Sequence, residues 1–265
     1  MIEMKYKKQP LIEYPVPQRH NTVVKANTLI QKSRYSLSTQ EQKILLYIIS
    51  QIEPQDEDFK LYNFEITEFC KVCGIEPQGD MYSFLKAKIK NIADISFYVT
   101  LPNGKDTLVR WIQKPYFDEH SGTVQIKLDE DMKPFLLQLK EKFTEYSLIY
   151  TLNFKCKYSI RLYEYLKSIH FDKSKPYTIT MPVHEFEQIL DSNLKDFKGF
   201  HVRALKPAHQ EINQYSDLNF EYELTRKGRK TTDITITITL KDIVKRLQTM
   251  AQNDRILDNR ERDEQ

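Results

Sequence analysis

Four cations surround one glycine near the carboxyl end of the chain, in the sequence RKGRK. They are Arg226, Lys227, Arg229 and Lys230. Alternating segments on both sides predict a β-hairpin with this sequence at its tip. Like charges so close together repel each other and do not stabilise a turn. Beside nucleic-acid phosphates each cation releases a condensed counterion, so the tip is predicted to bind phosphates, with a merely soluble turn as the alternative.

The segment before this hairpin is predicted to be a helix that presents side chains to DNA bases. Its buried side is predicted to consist of Val202, Leu205, His209 and Ile212. A rotation of about 100° per residue then turns Phe200, Arg203 and Gln210 outward. Arg203 can bind guanine through two hydrogen bonds, and Gln210 can bind adenine likewise. Lys206, nearer the edge for phosphate, and Lys198 complete the predicted DNA contacts, with an ordinary solvated helix face as the alternative.

Pro207 interrupts this predicted helix. Its ring lacks an amide hydrogen and presses on the carbonyl of Arg203, so inside a helix it costs about 3 kcal/mol or bends the axis. The helix therefore either starts near Ala204, with the proline in its first turn, or starts earlier and bends at Pro207. The helical phase of FKGFHVR favours the second interpretation.

A second predicted helix with a basic outward face occurs earlier, in MYSFLKAKIKNIAD. Its predicted inward side is Leu85, Ile89 and Ile92. The outward residues Ser83, Lys86 and Lys90 form a basic, short-chained face that suits phosphates better than bases. Lys105 in the turn PNGKD and Arg110 on the returning strand are predicted to form a weaker basic wing. Ordinary surface lysines are the alternative.

The elements that position these residues occur twice in the same order. SLSTQEQKILLYIISQI predicts an amphipathic helix, with Ser38 and Glu41 at capping-box spacing. The segments LYNFEI, EFCKVC, MYSFLKAKIKNIAD and an alternating hairpin follow, and this order of elements is that of a winged helix. YSIRLYEYLKSI begins the order again, and an offset of about 120 residues aligns the two halves.

The predicted fold class is therefore α+β, with two tandem winged-helix domains related by internal duplication. Residues 1–21 are predicted to be an N-terminal arm, residues 22–139 the first domain and residues 140–245 the second. Residues 246–265 are predicted to form a charged, partly mobile tail. A single mixed domain is the alternative.

Composition and motifs argue against several other classes. The chain has 265 residues, 40% of them hydrophobic, and a net charge of +3, so polyanion binding must come from local clusters. It has no long apolar run and no signal-peptide pattern, so we expect a cytoplasmic protein without membrane contact. Cys70 and Cys73 in CKVC lack two further zinc ligands and are predicted to be core residues. Without HxH, GxSxG or GxxxxGK[ST] patterns, no metal, cofactor or catalytic activity is expected.

Three separated segments resemble the Rep_3 family of plasmid replication initiators. They are KANTLIQKSRYSLSTQEQKILLYIISQI, KYSIRLYEYLK and LKPAHQEINQYSDL. The resemblance implies a protein that binds repeated double-stranded sites, called iterons, in a plasmid origin, helps to open the adjacent DNA, and recruits host initiator and helicase-loading proteins. It also implies dimers, formed through the first domain, that repress the initiator's own gene. The second domain is expected to supply most base contacts and the first domain accessory ones.

Two other functions compete with this one. A winged-helix transcription regulator would bind an operator, and an inverted repeat at a promoter without tandem copies would favour it. A rolling-circle initiator would nick DNA through a tyrosine. The chain has 16 tyrosines, but it lacks the metal-binding HxH pair that such an enzyme uses.

Overall fold

The computed structural model describes residues 16–74, 80–101 and 104–262, with side chains up to residue 260. It begins with a 3-10 turn, Pro17–His20, followed by strand β1, Thr22–Ala26, and helix α1, Asn27–Lys32. Arg19 is fully buried, so the described part of the predicted arm packs on the protein, whereas residues 1–15 lie outside the described residues. Within the described ranges, no helix is long and apolar enough to cross a membrane.

The first module contains three helices and a strand. They are helix α2, Thr39–Ile49, strand β2, Tyr62–Glu65, helix α3, Ile66–Cys73, and helix α4, Met81–Asp94. The predicted capping box is present, because Ser38 and Glu41 each accept a hydrogen bond from the other's backbone amide. Helix α3 stops at Gly74, whose φ of 57° is one that favours glycine. The residues that α4 turns into the core are Leu85, Ile89 and Ile92, as predicted.

Two hairpins follow α4, and the second one is the wing of the first module. Strands β3, Ser96–Thr100, and β4, Asp106–Arg110, form a separate two-stranded sheet. Strands β5, Ile112–Asp118, and β6, Thr123–Leu128, instead join β2 in the order β2-β6-β5. The assignment of the wing to the PNGKD hairpin is therefore wrong. Alternation predicts both hairpins equally well, and only the long-range pairing with β2 distinguishes them.

A structured connection over residues 129–156 leads to the second module. It contains a 3-10 turn, Glu130–Met132, helix α5, Lys133–Leu136, strand β7, Phe143–Ser147, and helix α6, Ile149–Leu152. Strand β7 pairs antiparallel with β1, and Thr22 lies opposite Ser147. This two-stranded sheet ties the first described strand to the chain that enters the second module.

The second module repeats the order of the first. Its elements are α7, Lys157–Ile169, β8, Tyr177–Pro182, α8, Val183–Ile189, α9, Phe197–Phe200, a π-helical turn, His201–Leu205, α10, Lys206–Tyr215, β9, Leu218–Lys227, and β10, Lys230–Leu240. The sheet order β8-β10-β9 matches β2-β6-β5. Phe69 of α3 and Phe186 of α8, which the offset aligns, are both fully buried. The α+β tandem winged-helix fold is confirmed.

Helix α7 lies between the modules and is buried on almost every side. Glu164 binds Lys25 of β1 at 2.7 Å and accepts the hydroxyl of Tyr146 of β7 at 2.6 Å. Lys167, one turn further along the helix, binds Asp217 of the second module at 2.7 Å. Burial and the Glu164 carboxylate raise the pKa of Tyr146 well above its usual value, so the tyrosine stays a donor. The segment KYSIRLYEYLK therefore supplies the charged side chains that join the two modules.

The predicted tail is a helix, α11, Ile243–Arg262. Its Leu257 is fully buried. Asp258 binds Arg19 at 2.6 Å, and Asp254 binds His20 at 2.8 Å, so the helix packs on the beginning of the described chain. The tail predicted from residue 246 is therefore helical as far as residue 262, and the end for which mobility was predicted includes residues 263–265, which lie outside the described residues.

Candidate nucleic-acid interface

The candidate interface is centred on a composite helix, which consists of α9, the π turn and α10. Asp196 caps its start by accepting a hydrogen bond from the Gly199 amide at 2.6 Å. The composite helix therefore starts well before Pro207, as the second interpretation of the proline required. Just before Pro207 the α-helical hydrogen-bond pattern is interrupted by a π turn, in which the Lys206 amide donates to the His201 carbonyl five residues earlier.

The π turn decides which side chains of the composite helix are exposed. In an α-helix, positions four residues apart drift by about 40° per step around the axis. A π turn is wider, so positions at a spacing of four stay close to one line across it. The buried line is Phe200, Ala204, Ala208 and Ile212, with Leu205 beside it. The exposed line is Lys198, Val202, Lys206 and Gln210, with Arg203 beside it.

Two predictions for this helix are wrong as a result. Phe200, predicted to contact DNA, is fully buried against Phe186, with ring centroids 5.8 Å apart. Val202, predicted to be buried, is 53% exposed. Both errors come from assuming an uninterrupted period of 3.6 residues. The predicted contacts that the structure does expose are Lys198, Arg203, Lys206 and Gln210.

The composite helix is anchored at its middle and its end. Glu211 accepts hydrogen bonds from the backbone amides of Lys155 at 2.9 Å and Cys156 at 3.2 Å, so it caps the start of α7. Lys241, which follows β10, donates to the carbonyl of Asn213 at 2.7 Å in the last turn of the helix. Through Glu211 the composite helix is fixed to the chain that enters α7, and through Lys241 it is fixed to the chain that leaves β10.

Aromatic contacts join the composite helix to the strand that leads into the wing. The His201 ring stacks on Phe197, with centroids 5.8 Å apart, and its Nε2 forms a hydrogen bond with the Tyr222 hydroxyl at 2.9 Å. Burial lowers the pKa of His201, and the charges of Lys206 and Arg226 lower it further. The hydrogen bond between His201 and Tyr222 therefore holds the composite helix against strand β9, whose far end carries Arg226 and the wing.

The wing of the second module is the turn between β9 and β10. Lys227 lies opposite Lys230 across it, and Gly228 has a φ of 62°, a conformation that favours glycine. Arg226 and Arg229 are exposed, as are both lysines. The four cations that predicted a phosphate-binding tip therefore lie together at a solvent-exposed hairpin end.

The predicted contacts on α4 of the first module are exposed but already have partners within the protein. Ser83 belongs to the N-terminal cap of α4. Lys90 pairs with Asp94 one turn later, and Lys86 lies over the ring of Tyr82, 5.7 Å from its centroid. Both lysines remain exposed, but Asp94 offsets one of their charges, so this face carries less net positive charge than the composite helix.

Lys105 and Arg110 lie on the β3-β4 hairpin and not on the wing, although both are exposed. Their predicted phosphate contacts depended on the wing assignment and lose that support. The true wing tip of the first module reads DEHSG and exposes Asp118 and Glu119. A hydrogen bond from Ser121 holds the pKa of Asp118 below its usual value, so the tip is ionised. An acidic tip repels phosphates, so only the second module has a basic wing.

The cysteines of CKVC lie in α3 and are buried, as predicted for core residues. Burial raises the pKa of Cys70 to about 11 and also raises the pKa of Cys73. Within residues 16–74, 80–101 and 104–262, no group of three or more metal-ligating side chains is brought together.

The protein contains two winged-helix modules in tandem, and the second has a basic wing beside an exposed polar helix face. These features define a tandem winged-helix protein. Residues 22–167 match the family described as Initiator Replication protein, WH1, and residues 182–238 match Initiator Rep protein, WH2. The chain belongs to this family of replication initiators. A replication initiation protein of Escherichia coli is 28% identical over 217 residues, which are 79% of this chain and 66% of that relative.

Solved structures share the fold at low sequence identity. The Pi initiator protein in complex with iteron DNA has a TM-score of 0.67 and 16% identity, over 84% of this chain and 99% of that chain. Domains 2 and 3 of RctB have a TM-score of 0.50 and 12% identity, over 79% of this chain and 84% of that chain. Both agree with the tandem arrangement of modules.

Proposed function

We propose that this protein is a plasmid replication initiator that binds repeated double-stranded sites, iterons, in the plasmid origin. The observation that carries the proposal is the hydrogen bond between His201 of the composite helix and Tyr222 of β9, which sets the exposed helix face beside the strand that leads to the basic wing. A helix that presents polar side chains beside a cationic hairpin suits a major groove and the phosphates that flank it. The replication initiation protein and the Pi initiator named above support the same function.

The two modules have different roles in this proposal. The second module reads bases with Arg203 and Gln210, while Lys198, Lys206 and the wing bind phosphates. The first module makes accessory contacts through the outward face of α4, and its acidic wing stays away from the backbone. Because the accessory face carries less net positive charge than the composite helix and its wing, the second module supplies most of the affinity.

Further parts of the proposal rest on family membership and on the sequence resemblance. The protein assists opening of DNA next to the repeats and recruits host initiator and helicase-loading proteins, in the cytoplasm. It also forms dimers through the first module, which repress its own gene. These roles need binding and positioning but no catalytic step, so the proposal includes no nicking of the origin.

A binding experiment with the DNA that flanks the gene tests the proposal. Fluorescence anisotropy would compare duplexes that carry direct repeats from this DNA with scrambled duplexes of the same composition. We expect affinity at least about a thousandfold higher for the repeats at physiological salt. Equal affinity for both would disprove the initiator function, and binding confined to one inverted repeat at the promoter would indicate an operator-binding regulator. Incubation of supercoiled origin DNA with magnesium should give no nicked product.

A further inference from the structure

We propose that Val202 is a specificity-determining residue that recognises the methyl group of a thymine in the major groove. The inference rests on the proposed function, because it requires the composite helix to enter that groove. Val202 lies on the exposed line of the composite helix, with Lys198 one turn before it and Lys206 one turn after it. It is the apolar member of a line that is otherwise cationic or polar.

Neither packing nor helix stability explains a valine at this position. Single exposed apolar residues are common on protein surfaces, so exposure alone says little. Here, however, Phe200 and Ala204 already fill the buried side, and the Val202 side chain is 53% exposed. A β-branched side chain also lowers helix propensity slightly compared with lysine or glutamate. The position therefore carries a residue that suits a contact outside the folded chain.

The chemistry of the major groove supplies such a contact. Thymine presents a C5-methyl group there, and apolar side chains recognise thymine through it. Arg203 and Gln210 can recognise guanine and adenine through hydrogen bonds, so an apolar neighbour adds a feature that they cannot read. Burying one methyl group stabilises the complex by a factor of about four in affinity. A contact from Val202 would thus favour thymine at one position of the binding site without adding charge to the helix.

Deoxyuridine differs from thymidine only by this methyl group, so it gives a direct test. The wild-type protein first selects a duplex from a random-sequence pool. Each thymine of the selected duplex is then replaced singly by deoxyuridine, and affinities are measured at one salt concentration. For the wild type, we expect one replacement to weaken binding about fourfold. For Val202→Ala, which removes both γ-methyl groups, the same replacement should lose most of its effect, whereas Val202→Thr, which keeps one γ-methyl group, should retain an intermediate sensitivity.

Val244→Ala, at a similarly exposed valine of α11, is the matched control outside the composite helix, and it should keep the full sensitivity to the methyl group. Thermal unfolding should give the same Tm for all variants, because both side chains are exposed. If the selected duplex binds specifically but no thymine is sensitive, or if Val202→Ala remains equally sensitive, the inference about Val202 is wrong while the proposed function stands. If selection enriches no sequence at all, the proposed function itself fails.

Discussion

The backbone amide of Lys206 donates to the carbonyl of His201, and this hydrogen bond determines which residues of the composite helix face solvent. Pro207 follows immediately and has no amide to donate to the carbonyl of Arg203. That carbonyl instead accepts the thiol of Cys156, at 3.7 Å. Pro207 therefore accompanies the turn that exposes Val202 and buries Phe200.

Pro207→Ala should weaken specific DNA binding. The alanine amide can bond to the carbonyl of Arg203, which favours a continuous α-helix and rotates the exposed line. We expect the affinity for the repeats to fall by about 1–3 kcal/mol, the value of one bidentate base contact, with little change on scrambled DNA. Pro182→Ala, at the start of α8, is the control outside the composite helix. Unchanged affinity for the repeats in Pro207→Ala would show that the proline does not set the register of the helix.

The buried ion pair between Lys25 and Glu164 should be sensitive to loss of one partner. Lys25→Met leaves the Glu164 carboxylate buried without a cation, so we expect the free energy of unfolding to fall by about 3–5 kcal/mol. The exposed pair of Lys90 and Asp94 is the control, and Lys90→Met should cost less than about 1 kcal/mol. Urea denaturation measures both. Equal losses in the two variants would contradict the inference that Lys25 and Glu164 stabilise the module junction.

The docking of α11 should be sensitive to Gly74. A Cβ added there would lie 2.2 Å from Leu257 Cδ2, whereas one added at Gly122, which also has a positive φ, would meet nothing within 4 Å. Gly122→Ala should therefore cost only the backbone strain of about 1–2 kcal/mol. Gly74→Ala should cost this strain and the displacement of Leu257. If urea denaturation finds the two variants equally stable, the close packing of Leu257 against Gly74 contributes nothing measurable to the free energy of unfolding.

Lys43 in α2 should make stability depend on alkaline pH. Burial lowers its pKa to about 8 from 10.5. Between these values the unfolded chain binds more protons than the folded one, so this lysine destabilises the fold below about pH 8 and the penalty disappears as the pH rises towards 10.5. Lys43→Met should therefore raise the free energy of unfolding by about 2–3 kcal/mol at pH 7. This gain in the free energy of unfolding should shrink as the pH rises to 10.5. A gain that does not depend on pH would show that the pKa of Lys43 is not lowered in the folded protein.

Local patterns were sufficient to predict much of this fold. Capping signals and helical periodicity located α2 and the inward face of α4, and the repeated order of elements predicted two winged helices. The wing of the first module was not predictable in this way, because its identity depends on pairing between β2 and β6. Helix α11 was missed because its anchors include contacts of its carboxylates with Arg19 and His20, from the opposite end of the chain.

The candidate site shows the same division between local and long-range information. The basic wing is evident from RKGRK alone, and Arg203 stays exposed whether or not the helix is interrupted. The exchange of Phe200 and Val202 could not be predicted from periodicity, since one π turn shifts the pattern. Pro207 was the available signal, because a proline within a helix indicates that the hydrogen-bond pattern changes nearby.

The division of roles between the composite helix and the wing is tested most directly by salt titration of DNA binding. Anisotropy would compare the wild type with Arg203→Ala and Lys227→Ala, on repeat and scrambled duplexes. We predict that Arg203→Ala loses about 1–3 kcal/mol on the repeats alone, with preference relaxed at one base. Lys227→Ala should weaken binding to both duplexes alike and reduce the salt slope by about one. Equal loss on both duplexes from Arg203→Ala, or an unchanged salt slope in Lys227→Ala, would contradict the account.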